Sequence, residues 1–110
     1  MQNVNIKLLD AKAMNASVNS NAVLLDQVFG LSIQVVVSGS TPAGTLQIQA
    51  SNDTTTSPTN WANVGSGIAC TANSMTNLDG QHYRWIRVTF TASTGAAADK
   101  LTVNYFSKGV

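Results

Sequence analysis

Few residues in this chain could do chemistry. His82 is the only histidine, Cys70 the only cysteine, and the acids are Asp10, Asp26, Asp53, Asp79 and Asp99, with no glutamate. A Ser-His-Asp relay needs a serine held against the imidazole and an acid behind it. Asp79 lies near His82, but no Gly-x-Ser-x-Gly turn presents a nucleophile. His82 sits where a loop enters a strand, which reads as a structural histidine. Two carboxylates a few ångströms apart would serve glycoside hydrolysis. The five aspartates are instead scattered near strand ends and loops, and Asp53 and Asp79 stand in turn-forming contexts, Ser51-Asn52-Asp53 and Asp79-Gly80. No Asp-x-Asp-x-Asp spacing suits calcium. A lone cysteine excludes an intrachain disulfide and any multi-cysteine metal site. Within Ile68-Ala69-Cys70-Thr71 it reads as a small buried hydrophobe. The sequence therefore assigns no catalytic residue, no metal and no cofactor, and the expectation is of a protein that is not an enzyme.

Arg84, Trp85 and Arg87 superficially resemble a stacking platform for single-stranded nucleic acid. Strand alternation, however, puts Arg84 on the face opposite Trp85 and Arg87. A formal net charge of +1 adds no long-range pull toward nucleic acid or an anionic membrane. Neither is expected as a partner. Tyr83, Trp85 and Arg87 all point outward from one strand, and Trp61 is a further aromatic. These four are the candidate subunit or ligand contacts: aromatics so placed lie under a loop, line a sugar-binding face, or are covered by another subunit. Asn15-Ala16-Ser17 and Asn52-Asp53-Thr54 match the glycosylation pattern, as expected by accident in a chain rich in Asn, Ser and Thr.

Charged side chains make up 10% of the 110 residues, against about 25% in ordinary soluble domains. Polarity comes instead from 12 Thr, 11 Ser, 11 Asn and 6 Gln, a chemistry suited to β-structure and uncharged contact surfaces. The length fits one domain, residues 1–110, and 44% hydrophobic content suffices for one modest core. No run of about 18 apolar residues is long enough for a spanning helix. Met1-Gln2-Asn3-Val4-Asn5-Ile6-Lys7 has neither a basic start nor a continuous apolar stretch, so it does not read as a signal peptide. The expectation is synthesis in a cytoplasm.

Period-2 alternation dominates the pattern. Leu31–Val37 and Thr45–Ser51 read as strands, the second with Leu46, Ile48 and Ala50 inward. The Gly/Pro-punctuated stretch Ser38–Gly44 reads as a hairpin or as a connection that switches sheets. His82–Thr91 is the longest expected strand, with Ile86, Val88 and Phe90 on one face. After a polar loop from Ala92 to Asp99, Lys100–Phe106 places Leu101, Val103 and Tyr105 together. Val4–Leu9 and Ala22–Leu25 read as shorter strands, and Trp61–Val64 and Ile68–Thr71 as two more around Gly65-Ser66-Gly67. Met14–Leu25 has room for one helical turn. Thr54–Thr59 is the loop expected to move or to touch a partner. Together these make an all-β, single antiparallel β-sandwich of about eight strands, jelly-roll-like or Greek key.

Two stretches carry a resemblance. Gly44-Thr45-Leu46-Gln47-Ile48-Gln49-Ala50-Ser51-Asn52-Asp53, followed by Trp61 after a Thr/Ser/Pro-rich loop, resembles a segment of small β-sandwich structural proteins of bacteriophage virions. Tyr83-Arg84-Trp85-Ile86-Arg87-Val88-Thr89-Phe90, then Ser93-Thr94-Gly95 and the closing strand to Lys108, resembles the end of the same group. The likeness covers about residues 31–108. It implies a non-enzymatic virion protein made in the host bacterial cytoplasm: a capsid decoration (cement) protein or a spike subunit. The implied partners are copies of itself, with a trimer the natural guess, and the major capsid protein. Residues 1–21 then become a candidate anchoring arm through Val4, Ile6, Leu8 and Leu9. The rival reading is a carbohydrate- or receptor-binding sandwich on a spike, fibre or bacterial surface. There Trp61, Tyr83 and Trp85 would stack on sugar rings, with Asn52, Asp53 and Gln81 bonding hydroxyls.

Overall fold

The computed structural model describes residues 3–25, 28–79 and 83–109, so Asp26, Gln81 and His82 lie outside it. Among the described residues the chain forms β1 (Asn3–Ala13), β2 (Val18–Asn19), β3 (Val23–Leu24), β4 (Val28–Ser38), β5 (Thr45–Ser51), β6 (Ala62–Ala69), β7 (Ser74–Asp79), β8 (Trp85–Thr91) and β9 (Lys100–Gly109). All pairings are antiparallel, and they nest: β5 with β6, β4 with β7, β2 and β3 with β8, β1 with β9. The chain is thus one long ribbon whose tip is the 52–61 loop. Rolling the ribbon brings β4 against β9 and β5 against β8. The outcome is two sheets, β1-β9-β4-β7 and β2-β8-β5-β6, with β3 also on β8. This is the expected all-β antiparallel sandwich.

Alternation supplies the core. Leu31, Ile33 and Val35 on β4, Leu46, Ile48 and Ala50 on β5, Ile86, Val88 and Phe90 on β8, and Leu101, Val103 and Tyr105 on β9 are all buried between the sheets. Each fully buried aliphatic or aromatic side chain contributes about 1.5–3 kcal/mol of transfer free energy. Leu8, Leu9, Met14 and Cys70 complete the cluster.

The Ser38–Gly44 stretch is the sheet-switching connection of the two alternatives, since β4 and β5 lie in different sheets. Gly39 and Gly44 bracket it with φ of +111° and +118°, a region L side chains rarely enter. A Cβ at Gly39 would fall on the Asp99 carboxylate, and one at Gly44 on the Phe90 ring. Asp99 is 1% exposed. Its carboxylate accepts hydrogen bonds from the Ala96 amide (2.9 Å), the Thr41 amide (3.2 Å) and the Thr41 hydroxyl (2.9 Å). These ties fasten the crossover to the loop before β9. The Ala96 bond first, then those from Thr41, hold the carboxyl below the ordinary aspartate range despite burial.

Several elements depart from the sequence reading. The strands expected at Trp61–Val64 and Ile68–Thr71 merge into one, β6, which leaves Trp61, Cys70 and Thr71 outside it. It carries extra residues between Val64 and Ile68, where Leu46 and Ile48 of β5 are separated by one position. The Gln47 side-chain amide fills that bulge by donating to the Val64 and Gly65 carbonyls at 3.3 and 3.2 Å. No helical turn forms in Met14–Leu25; β2 and β3 share that stretch, and both add to β8. Between them Ser20 keeps the ladder intact: its amide donates to Val88 O and its hydroxyl accepts from the Val88 amide, both at 2.9 Å. The strand β7 was not expected at all.

Candidate functional site

The alternation that buries Ile86 and Val88 turns Trp85 and Arg87 to the outer face of the β2-β8-β5-β6 sheet. Register does the rest. Arg87 lies opposite Gln49, and Gln49 opposite Asn63, so three side chains form a row across β8, β5 and β6. Arg87 Nε donates to Gln49 Oε1 at 2.9 Å, and Gln49 Nε2 donates to Asn63 Oδ1 at 3.0 Å. Trp61, just before β6, lies under the guanidinium, whose Cζ is 4.4 Å from the ring centroid. Such cation–π contacts contribute about 0.5–1 kcal/mol at exposed sites. Partial burial lowers the Arg87 pKa without threatening its charge.

The ribbon tip folds over the end of this row. The Asp53 carboxylate accepts from the Thr59 amide (2.8 Å), the Asn60 amide (2.9 Å) and the Asn60 side chain (3.1 Å). These bonds, the Asn60 amide foremost, hold its pKa below the ordinary value. Trp85 Nε1 donates to Asp53 O at 3.2 Å, and Asn52 Oδ1 accepts from the Arg84 amide at 3.0 Å. The Thr54–Thr59 loop, expected to move or to touch a partner, is therefore fastened at its base, where Asn52, Asp53, Thr59 and Asn60 are tied.

Of the four candidate contacts, Trp61 and Arg87 stack directly, and Trp85 shares their sheet face. Tyr83 stands apart. It precedes β8, which begins at Trp85. It lines a shallow depression of about 230 Å³ with Ser51, Asn52, Asn60, Ala62 and Asn63. Of the candidate arm, Leu8 and Leu9 are in the core, while Val4 and Ile6 stay exposed on β1.

The opposite outer face offers a second surface that sequence reasoning did not single out. Lys7, Gln34, Met75, Asn104 and Phe106 line an open groove of about 350 Å³. Asn104 Nδ2 donates to Gln34 Oε1 at 3.1 Å along its floor. The signal was present: if Leu101, Val103 and Tyr105 face inward, Asn104 and Phe106 must face outward.

Neither surface gathers acids, bases or nucleophiles into one cluster among the described residues. Asp53 and Asp99 are saturated by local donors, and burial pushes the Cys70 thiol up to about 11, far from a reactive thiolate. Among the described residues no group of three His, Cys, Asp or Glu side chains could hold a metal, and no helix is long and apolar enough to cross a membrane.

No family model and no curated protein sequence matches the chain. Solved structures match its fold. The SPBc2 prophage-derived protein YomS aligns with a TM-score of 0.68 at 14% identity, over 96% of this chain and 92% of YomS. A subunit of the disulfide-linked pili that form Bacillus endospore appendages aligns at 0.53 and 13% identity, over 99% and 88%. A chain of infectious bursal disease virus, Gx strain, aligns at 0.53 and 13% identity over 96% of this chain, which spans only 31% of the viral one. At these identities the likeness is one of fold.

Proposed function

We propose that this chain is a non-enzymatic structural subunit of a bacteriophage particle: a capsid decoration (cement) protein that stabilises the particle through contacts with its own copies and with the major capsid protein. The observation that carries the reading is the whole-chain correspondence of fold, in both directions, with a prophage-derived protein. Likeness to a virus chain and to a pilus subunit agrees with a fold used in assemblies. The surface chemistry suits the role. Thr, Ser, Asn and Gln make contacts that salt does not screen, and short Thr, Ser and Asn side chains lose less rotamer entropy on ordering than Lys or Glu. The particle surface is then the site of action, and a trimer the expected unit.

The alternative, a carbohydrate- or receptor-binding module, would stack sugar rings on Trp61, Tyr83 and Trp85. One face of Trp61 already carries Arg87, and the Trp85 indole N–H is spent on the ribbon tip. The test is quantitative mass spectrometry of gradient-purified particles from a lysate containing this protein. A fixed ratio to the major capsid protein, approaching one copy per capsid subunit or per local three-fold, is expected. A chain left wholly in the soluble fraction would overturn the reading, and a few copies per particle would shift it to a spike or fibre.

A further inference from the structure

We propose that β1 pairs with β1 of a second copy along its free edge, antiparallel about a two-fold axis at Asn5, so that two four-stranded sheets join into one of eight strands. The proposal rests on the reading of the chain as an assembling subunit and names the contact it would use.

The strand β1 ends its sheet, so its outer row of amides and carbonyls is unpaired among the described residues. Such an edge is a template for another strand. Of the described residues only Val4, Ile6, Leu24 and Met75 are large hydrophobics left exposed, and two of the four sit two positions apart on this edge. Register against β9 gives their direction. Val4 lies opposite Ser107 and Ile6 opposite Tyr105, both buried, so Val4 and Ile6 point to the core side of the sheet. There they remain 38% and 37% exposed. They extend the core past the point where the protomer covers it.

The edge is straight only where this pair lies. Residues 3–7 run in unbroken register, after which β1 is interrupted between Lys7 and Leu9 and again between Leu9 and Lys12. Ala11, in the second interruption, has φ +48°. Bulges of this kind end pairing and twist an edge away, so the bulged half of β1 is protected and the first half is not. The strand β7 is also a straight free edge, but Ser74, Thr76 and Leu78 point to the core side and its exposed Met75 to the outer face.

The sequence of the segment is self-complementary about Asn5. An axis there sets position i opposite 10 − i. Val4 then meets Ile6 of the second copy, Asn5 meets Asn5, and Lys7 meets position 3, so no two charges face each other. Moving the axis by half a residue would set Val4 against Lys7 and Asn5 against Ile6, turning every apolar contact into a mismatch. The contact is isologous and closes on itself. A five-residue strand pair is small beside the roughly 1,600 Å² of a standard interface. It is therefore weak between free protomers and gains from the high effective concentration of copies on one particle.

A covalent trap reads such a contact. Directly opposed residues on antiparallel strands have Cα atoms about 4.5–5.5 Å apart, within disulfide range. The native Cys70 is buried and does not compete. Asn5→Cys is expected to oxidise to a dimer about tenfold faster than Asp10→Cys, an exposed control on the bulged half of the same strand. Adding Ile6→Lys, or Val4→Lys if the first variant melts early, should return Asn5→Cys to the control rate. Equal rates for Asn5→Cys and Asp10→Cys, or a fast rate that survives both lysines, would overturn the pairing. Particle association measured on the same variants separates the two readings. If it persists while Asn5→Cys fails to cross-link, the pairing is wrong and the virion role stands.

Discussion

Ala11 is the one described non-glycine residue with positive φ, at +48°, and it stands where β1 bulges away from β9. The left-handed region costs an L residue about 1–2 kcal/mol, while a glycine there costs about 0.5–1 kcal/mol in unfolded-state entropy. Ala11→Gly should therefore stabilise the fold by about 0.5 kcal/mol, read as a higher denaturant midpoint with an unchanged slope. Asp99 sets the pH response. Its folded pKa lies below the ordinary value, so its contribution is complete above about pH 4, the unfolded value, and is lost as pH falls through that value toward the folded one. Asp99→Asn should be less stable at neutral pH and lose less on acidification, as a melting series from neutral to acid pH would show. Neither role was visible in the sequence. Asp99 read as one more loop aspartate, because its partners Thr41 and Ala96 are assembled only when the crossover and the last loop meet.

At the scale of elements, what alternation could express was legible. β4, β5, β8 and β9 carry a polar face and an apolar face, and their inward residues are the ones expected. β7 was missed because its core-side positions are Ser74, Thr76 and Leu78, while its one large apolar side chain besides Leu78, Met75, is exposed. Such a strand shows an inverted pattern that only its neighbour β4 can rationalise. β6 was split in two because a bulge filled by Gln47, seventeen residues away from Val64, leaves no local mark. The crossover between β4 and β5 depends on its glycines. At Gly44 a Cβ would meet the Phe90 ring and the Thr91 carbonyl oxygen, on a backbone with φ +118°. Gly44→Ala should cost about 3 kcal/mol or more, combining backbone strain with overpacking, measurable by chemical denaturation. At the ribbon tip, Asp53→Asn should speed hydrogen exchange at the Thr59 and Asn60 amides while leaving the core strands protected. The candidate site was half legible: Trp85 and Arg87 follow from alternation, but the seating of Trp61 under Arg87 requires the β5–β6 register that the bulge sets.

The molecule as a whole is an antiparallel β-sandwich of 41 × 27 × 21 Å, held by apolar burial and by hydrogen bonds in which charged groups meet neutral partners rather than opposite charges. The one ion pair among the described residues, Lys7 with Asp10 at 3.8 Å, is exposed at both ends, and such pairs contribute about 0–1 kcal/mol. Calorimetric melting should accordingly shift little as sodium chloride is raised from low to high concentration, because there is little charge interaction for salt to screen. The measurement that bears most directly on the proposed role is a cryo-electron microscopy map of particles containing this protein, compared with particles stripped of it. Density of these dimensions is expected at equivalent lattice positions on the capsid surface, lost on stripping and restored by adding the purified chain. Two maps with identical capsid surfaces would contradict that role.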